Sequence, residues 1–573
     1  MYKNGILKVE MSSPNLHIGE PFKNAQIIVD ILNKSKASFV LFSELCLSSY
    51  TSGDLFFDTS FLDDNLTALE YVINNTHFEG VYFIGMPFLF REVIFNVAVV
   101  VQKGKILGIV PKHKIPNYKE FFEKRWFQSG KHLKDEIISV LGQEVPIGNI
   151  LFINKTFNIV FGVEICQDLW TIESPSDLMV LNGAHLIFNL SASTEHLGKD
   201  KFRKLAVINH SRKQAGGYFY TSSGISETSN NVLFSNHKIA AVLGDVIGEK
   251  DLTNQDVSLV VDVYLDKIKH QRKVDTTFGD QQIGKQFSFL KSYFHIKEAK
   301  EYDLEEPLNA KPFVDYRNLQ EQLKLSNLIQ VLYLQNKMSF AKASQIILEF
   351  KDDLNSFLTL LVVLQYFNNN KKSLQELQVV LKEKKHFENE QSLEFHKKIL
   401  KYLGINNIQI VQEKDSLEQI LQEAKIENKL ILESDNLSDI IFEKMSFRFN
   451  FHSSLYNLNV NIPNVLMVEL ILFHIRENTI LLEQNMKDFY FQKIDKFLDS
   501  ETIMKDFILY YHLNGSFKKE KIAFLLEKKF LLSHEESLSL VTEYMNHFYK
   551  FHYKKNKIAP GPKILSNSFS YSI

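Results

Sequence analysis

Cysteine is scarce in this chain: Cys46 and Cys166 are the two thiols in 573 residues, so a disulfide framework is not what holds the fold together. Long apolar runs are missing too. No stretch reaches the roughly 18 apolar residues that a membrane-crossing helix needs, and Met1–Ser12 lacks a signal-peptide pattern, so a cytoplasmic protein without a membrane partner is expected. Neither sign of charge dominates: 66 Lys and Arg against 68 Asp and Glu leave −2, which argues against nucleic acid or another polyanion as partner. Histidines such as His185, His210, His237 and His270 are scattered without ligand spacing, so no metal site is expected. Internal repeats and low-complexity segments are absent. Glycine runs out in the second half, where residues 285–573 hold only Gly404, Gly515 and Gly561 of the 23. Strands joined by tight turns use glycine freely, whereas a helix-rich half does not. At this length, two or more domains are required.

What is present begins with Cys166. It follows the apolar run Phe157–Ile165, read as a buried strand, and precedes Gln167-Asp168-Leu169-Trp170 and a helix-like segment. A thiol at a strand end can be presented to a pocket, although a lone cysteine also reads as a small buried hydrophobe. A second apolar run, Ala37–Leu45, ends in Ser43-Glu44-Leu45, where a buried carboxylate is costly unless paired or employed. A third segment, Val110-Pro111-Lys112-His113, follows a hairpin-like pair, Asn96–Val101 and Ile106–Val110, joined through Lys103-Gly104-Lys105. Taken singly, Glu44 and Lys112 read as surface charges. Together the strand ends supply a thiol, a general base and an ammonium. Those are the parts of amide hydrolysis through a thioester, with the ammonium facing the oxyanion.

Glu44, Lys112 and Cys166, in this order and spacing, resemble the triad of the nitrilase (carbon–nitrogen hydrolase) superfamily. The flanking words Tyr50-Thr51-Ser52-Gly53-Asp54-Leu55-Phe56, Pro116–Phe127, Asn189-Leu190-Ser191-Ala192-Ser193 and Gly198-Lys199 resemble the glutaminase domain of glutamine-dependent NAD synthetases. The resemblance covers residues 1–275. It implies Glu44 as base, Lys112 as oxyanion partner and Cys166 as nucleophile, with Tyr50, Tyr118, Gln167, Ser193 and Lys199 at an L-glutamine pocket. Two of these depart from the family pattern, which usually has Glu at Gln167 and often Arg at Lys199. The glutaminase half needs no cofactor, and a homo-oligomer is expected by family analogy.

In the first half, short apolar strands alternate with helical stretches such as Pro21–Lys34 and Lys201–Gln214, as in an α/β sandwich with mixed sheets. The resemblance implies a nitrilase-like α/β/β/α sandwich. Residues 276–310 read as a polar linker. Residues 311–573 read as a helix-rich α/β domain with few strands, Ile408–Val411 and Lys429–Leu432, and with Lys371–Lys385 as an exposed charged helix. The resemblance continues weakly here as an adenine-nucleotide α-hydrolase-like synthetase domain, through Pro312-Phe313-Val314, Ile431–Asp439 and Ala559-Pro560-Gly561-Pro562-Lys563.

Lys351-Asp352-Asp353-Leu354-Asn355-Ser356 aligns with that family's phosphate loop, where Ser-Gly-Gly precedes Leu-Asp-Ser. Both glycines are Asp here, which places carboxylates and Cβ atoms where a nest of amides would receive phosphate. The stretch between Leu403 and Lys429 is short for the family. The expectation is a glutamine amidohydrolase fused to a synthetase-like domain that has lost its ATP loop, with ATP and Mg required only if that half is active. The alternatives are a complete ligase, making NAD from deamido-NAD, ATP and glutamine, and a non-catalytic oligomerising scaffold. A basic aromatic stretch, Lys550–Lys555, reads as a solvated helix end rather than a phosphate or nucleic-acid site.

Overall fold

The computed structural model describes residues 2–228, 231–254, 257–283, 287–382, 387, 389–411, 429–442, 455–552 and 558–566. The chain divides into two compact units, Met1–Pro307 and Leu308–Ile573.

Two mixed sheets, of nine and seven strands among the described residues, build the first unit. The strands that carry the site are β1 (Phe39–Phe42), β2 (Val93–Gln102), β3 (Lys105–Pro111), β4 (Ile159–Ile165), β5 (Leu186–Ser191) and β6 (Gly217–Ser222). β1, β2 and β3 belong to the larger sheet, and β4, β5 and β6 run parallel in the smaller one. Period-two alternation sorts their side chains into layers. Phe39 and Leu41 of β1 meet Phe161, Val163 and Phe188 between the sheets. Val40 and Phe42 face outward instead, onto Ile28 and Leu32 of α1 (Pro21–Lys34) and Leu69 and Val72 of α2 (Thr59–Asn75). On the far side, Ile187, Tyr218 and Tyr220 pack with Val207 of α3 (Lys199–Lys213). The result is the α/β/β/α sandwich, whose strands are buried on both faces and therefore read as continuous apolar runs.

The segment expected as a linker differs. Residues Thr276–Ile283 are helical, and Leu290–Tyr293 pairs in parallel with Ile150–Asn154 at the edge of the seven-stranded sheet. Its polar composition suits an edge strand, whose pattern (half-buried, exposed, half-buried, exposed) hides no long apolar run.

Among the described residues the second unit holds a five-stranded all-parallel sheet: β7 (Gln345–Glu349), β8 (Leu377–Lys382), β9 (Ile408–Val411), β10 (Lys429–Glu433) and β11 (Leu455–Asn457), in the order β9-β8-β7-β10-β11. The helix-rich reading stands, but three strands were not anticipated. The expected exposed helix over Lys371–Lys385 is corrected to β8, whose Leu377, Val379, Val380 and Leu381 are fully buried. Lysines flank a short apolar core there, and β-branched pairing within the sheet outweighs the helical content of the flanks. α4 (Leu354–Asn369) is apolar almost all round and is the buried central helix of this unit. Residues Lys554 and Lys555 of the basic stretch lie outside the described residues.

Candidate active site

The site lies where strand ends of the two sheets converge. Glu44 follows β1 by two residues, and its backbone amide donates to Ser191 O at the end of β5, 3.2 Å away. Gly85 lies directly beneath this turn: a Cβ there would stand 2.3 Å from Leu45 N and 2.9 Å from Ser43 O. The turn therefore rests on bare backbone. Lys112 follows β3, and its amide donates to Asn96 O at 2.8 Å. Cys166 opens the turn Cys166–Trp170 directly after β4, with φ +46°, and Leu45 sits at φ +52°. Non-glycine residues in that region are strained, and such strain is held by surrounding structure at functional sites.

Both residues that singly read as surface charges are in fact buried: Glu44 and Lys112 are 0% exposed. The Lys112 ammonium donates to Glu44 Oε1 at 2.5 Å and to both oxygens of Glu123 at 2.7 and 2.8 Å. Asn96 Nδ2 donates to Glu44 Oε1 at 2.7 Å. Glu44 Oε2 is buried without a hydrogen-bond partner among the described residues, which leaves one lone-pair edge of the proposed base free. Burial opposes the Lys112 charge, but Glu123 and Glu44 push its pKa up and keep it an ammonium. Burial raises Glu123 to about 7 despite Lys112 beside it. Burial, then Glu44, pushes the Cys166 thiol up to about 12, with Lys112 acting in the opposite sense. Cys166 rests as a thiol with the Glu44 carboxylate in its electrostatic neighbourhood.

Cys166 opens onto a cavity of about 320 Å³, and Tyr118, Gln167, Ser193 and Lys199 line it too. Tyr118 donates to Gln167 Oε1 at 2.8 Å. Tyr50 is placed differently. It is not among the residues lining that cavity, and its hydroxyl donates to Glu123 Oε1 at 2.8 Å. Glu123 and Asn96 were not anticipated as site residues. Glu123 lies inside the matched stretch Pro116–Phe127, and a carboxylate among aromatics there was the available signal.

Residues 10–272 match the family model described as Carbon-nitrogen hydrolase. This stretch, most of the first unit, is similar to carbon–nitrogen hydrolases. Its relatives include "Glutamine-dependent NAD(+) synthetase" of Mycobacterium bovis, 29% identical over 49% of this chain and 42% of that protein. The same name is carried by the protein of Thermotoga maritima, 30% identical over 46% of this chain and 42% of that protein. The chain thus spans less than half the length of these curated relatives. Among solved structures, the glutamine-dependent NAD+ synthetase of Acinetobacter baumannii in complex with ADP covers 99% of this chain and 97% of its own, at 16% identity and TM-score 0.38.

Beyond that stretch, the expected nucleotide loop lies between β7 and α4, in the second unit. Sheet order reverses between β7 and β10, and the crevice outside such a switch point is where open α/β sheets place ligands. The chain's own groups occupy it. Asp353 accepts from Ser356 N at 2.7 Å, capping α4. Asp352 is held by Lys493, by Ser392 Oγ at 2.7 Å and by His396 Nε2 at 3.3 Å. Lys351 reaches Asp435 at 3.3 Å, and Lys351 N donates to Ser356 Oγ at 3.1 Å. Asn355 donates to Asp439 at 2.5 Å and accepts from Asn436 at 2.8 Å.

Proposed function

We propose that the N-terminal unit is a glutamine amidohydrolase working through a Cys166 thioester. Glu44 takes the thiol proton as Sγ attacks the amide carbon, and Lys112 stabilises the oxyanion that forms. The C–N bond breaks, Glu44 returns the proton to the leaving nitrogen, and ammonia departs. Water, deprotonated by the same carboxylate, then attacks the thioester to give the acid and the free thiol. Glu123, tied to Lys112 and Tyr50, holds the ammonium in place. The observation that carries this reading is the buried Glu44–Lys112 pair next to a strained, cavity-facing Cys166. Tyr118, Gln167, Ser193 and Lys199 are proposed to bind the amino-acid part of L-glutamine, the substrate named for the relatives.

We further infer that the C-terminal unit has lost ATP turnover. A phosphate chain at the start of α4 would meet the Asp353 carboxylate already bonded to the Ser356 amide, with Asp352 beside it. Two anions where phosphate would sit do not fit ATP and Mg, and no step is routed through them. The named activity of the relatives favours the rival, a complete synthetase consuming deamido-NAD, ATP and glutamine. Ammonia release from a panel of amides, with and without ATP and deamido-NAD, separates the two. Release from glutamine, lost in Cys166→Ala and indifferent to nucleotide, is expected. Pyrophosphate formation dependent on deamido-NAD would establish the ligase instead, and no ammonia at all would leave the scaffold.

A further inference from the structure

The cavity in front of Cys166 contains one carboxylate among its described lining residues, Glu120. It sits with Lys119 in the turn of a small hairpin, in which Tyr118 pairs with Phe121. Glu120 Oε1 accepts from Thr194 Oγ1 at 2.5 Å and lies 3.7 Å from the Lys199 ammonium, which itself donates to Thr194 Oγ1 at 2.7 Å. Both contacts are made through Oε1. Glu120 and Lys199 keep 25% and 16% of their side-chain surface exposed. Cys166 is near enough to Lys199 to act on its charge, so the carboxylate, the ammonium and the nucleophile share one small volume.

The residue after the nucleophile, Gln167, is neutral, and its amide oxygen already accepts from Tyr118. Glu44 and Glu123 are committed to Lys112. A positively charged end of a substrate entering this cavity therefore has one anionic partner.

We propose that Glu120 is the specificity residue that reads the α-ammonium of the substrate, opposite Lys199, so that the site selects zwitterionic α-amino-acid amides over amides carrying a carboxylate alone. This rests on the amidase reading of the same cavity. A site that pairs with a charged group favours the substrate carrying it over the analogue that cannot make the pair.

The test compares L-glutamine with glutaramate, which has hydrogen in place of the ammonium, in the wild type and in Glu120→Gln. The amide oxygen of Gln still accepts from Thr194, so Lys199 keeps its hydrogen bond to Thr194 while the neighbouring charge is removed. The expected result is a wild-type kcat/KM preference for glutamine of about tenfold or more. Glu120→Gln should collapse that preference, lowering kcat/KM for glutamine by about tenfold more than for glutaramate. If Glu120 merely positions Lys199, both substrates fall together and the preference persists, which overturns the proposal. Equal wild-type turnover of the two amides also overturns it and needs no variant to fold. No ammonia from either substrate defeats the amidase reading, and this one with it.

Discussion

Asp168 ties Ile165 to Lys114: its carboxylate accepts from the amide of Ile165 at 3.1 Å and from that of Lys114 at 2.8 Å. One buried side chain thereby fastens the turn carrying Cys166 to the loop carrying Lys112, although 54 residues separate Asp168 from Lys114.

Replacing Asp168 by Asn turns one acceptor into a donor facing backbone amides, at a cost of about 1–3 kcal/mol in stability. The pH dependence identifies the group. Burial, then Glu164, raises Asp168 to about 7, well above the ordinary carboxylate range. An acid that holds its proton more tightly when folded lends stability that is full below the unfolded value and lost as pH rises through the folded one. Thermal unfolding between pH 4 and pH 8 should show that decline in the wild type and a flatter slope in Asp168→Asn. Equal slopes would contradict the assignment.

Glu44→Gln separates base catalysis from field effects. Glu44 is one of the groups that raise the Cys166 pKa, so its removal should make the thiolate easier to form. Iodoacetamide alkylation of Cys166 should then move to lower pH. Amide hydrolysis should nevertheless fall by about 10²–10⁴. Parallel loss of both reactions would assign Glu44 a different role.

Gly85→Ala sets a methyl against the backbone of Ser43, Glu44 and Leu45. Backbone cannot swing aside as a side chain does, so the Glu44 turn must shift. Overpacking of this kind costs about 1–3 kcal/mol, and misplacing the base by about 1 Å lowers kcat by about a hundredfold. A variant of unchanged kcat would show that the turn is more tolerant than its contacts indicate.

Asp353→Ala removes the cap of α4 and should destabilise the C-terminal unit by about 1 kcal/mol. In the wild type, millimolar ATP with Mg should leave the unfolding temperature unchanged, since a ligand that does not bind the native state gives no linkage. An ATP-dependent rise would restore nucleotide binding to the second unit.

Much of the site was legible along the chain because strand ends announce themselves. Apolar runs stopping at Glu44, Lys112 and Cys166 mark positions that a sheet holds still. The layered order of the first unit followed from strands buried on both faces. The second unit was less legible. Its β8 is short, flanked by lysines and stabilised by neighbours distant in sequence, so local composition pointed to a helix.

By itself the sequence determined which chemical groups this protein has at its strand ends, and that Asp352 and Asp353 stand where the phosphate loop it resembles has glycine, since residue type alone settles both. Tertiary structure decided their partners. Glu123 meets Lys112, Tyr50 serves Glu123 instead of lining the cavity, and Glu120 joins Lys199 across Thr194, because side chains far apart in the chain become neighbours only once two sheets close over a common core.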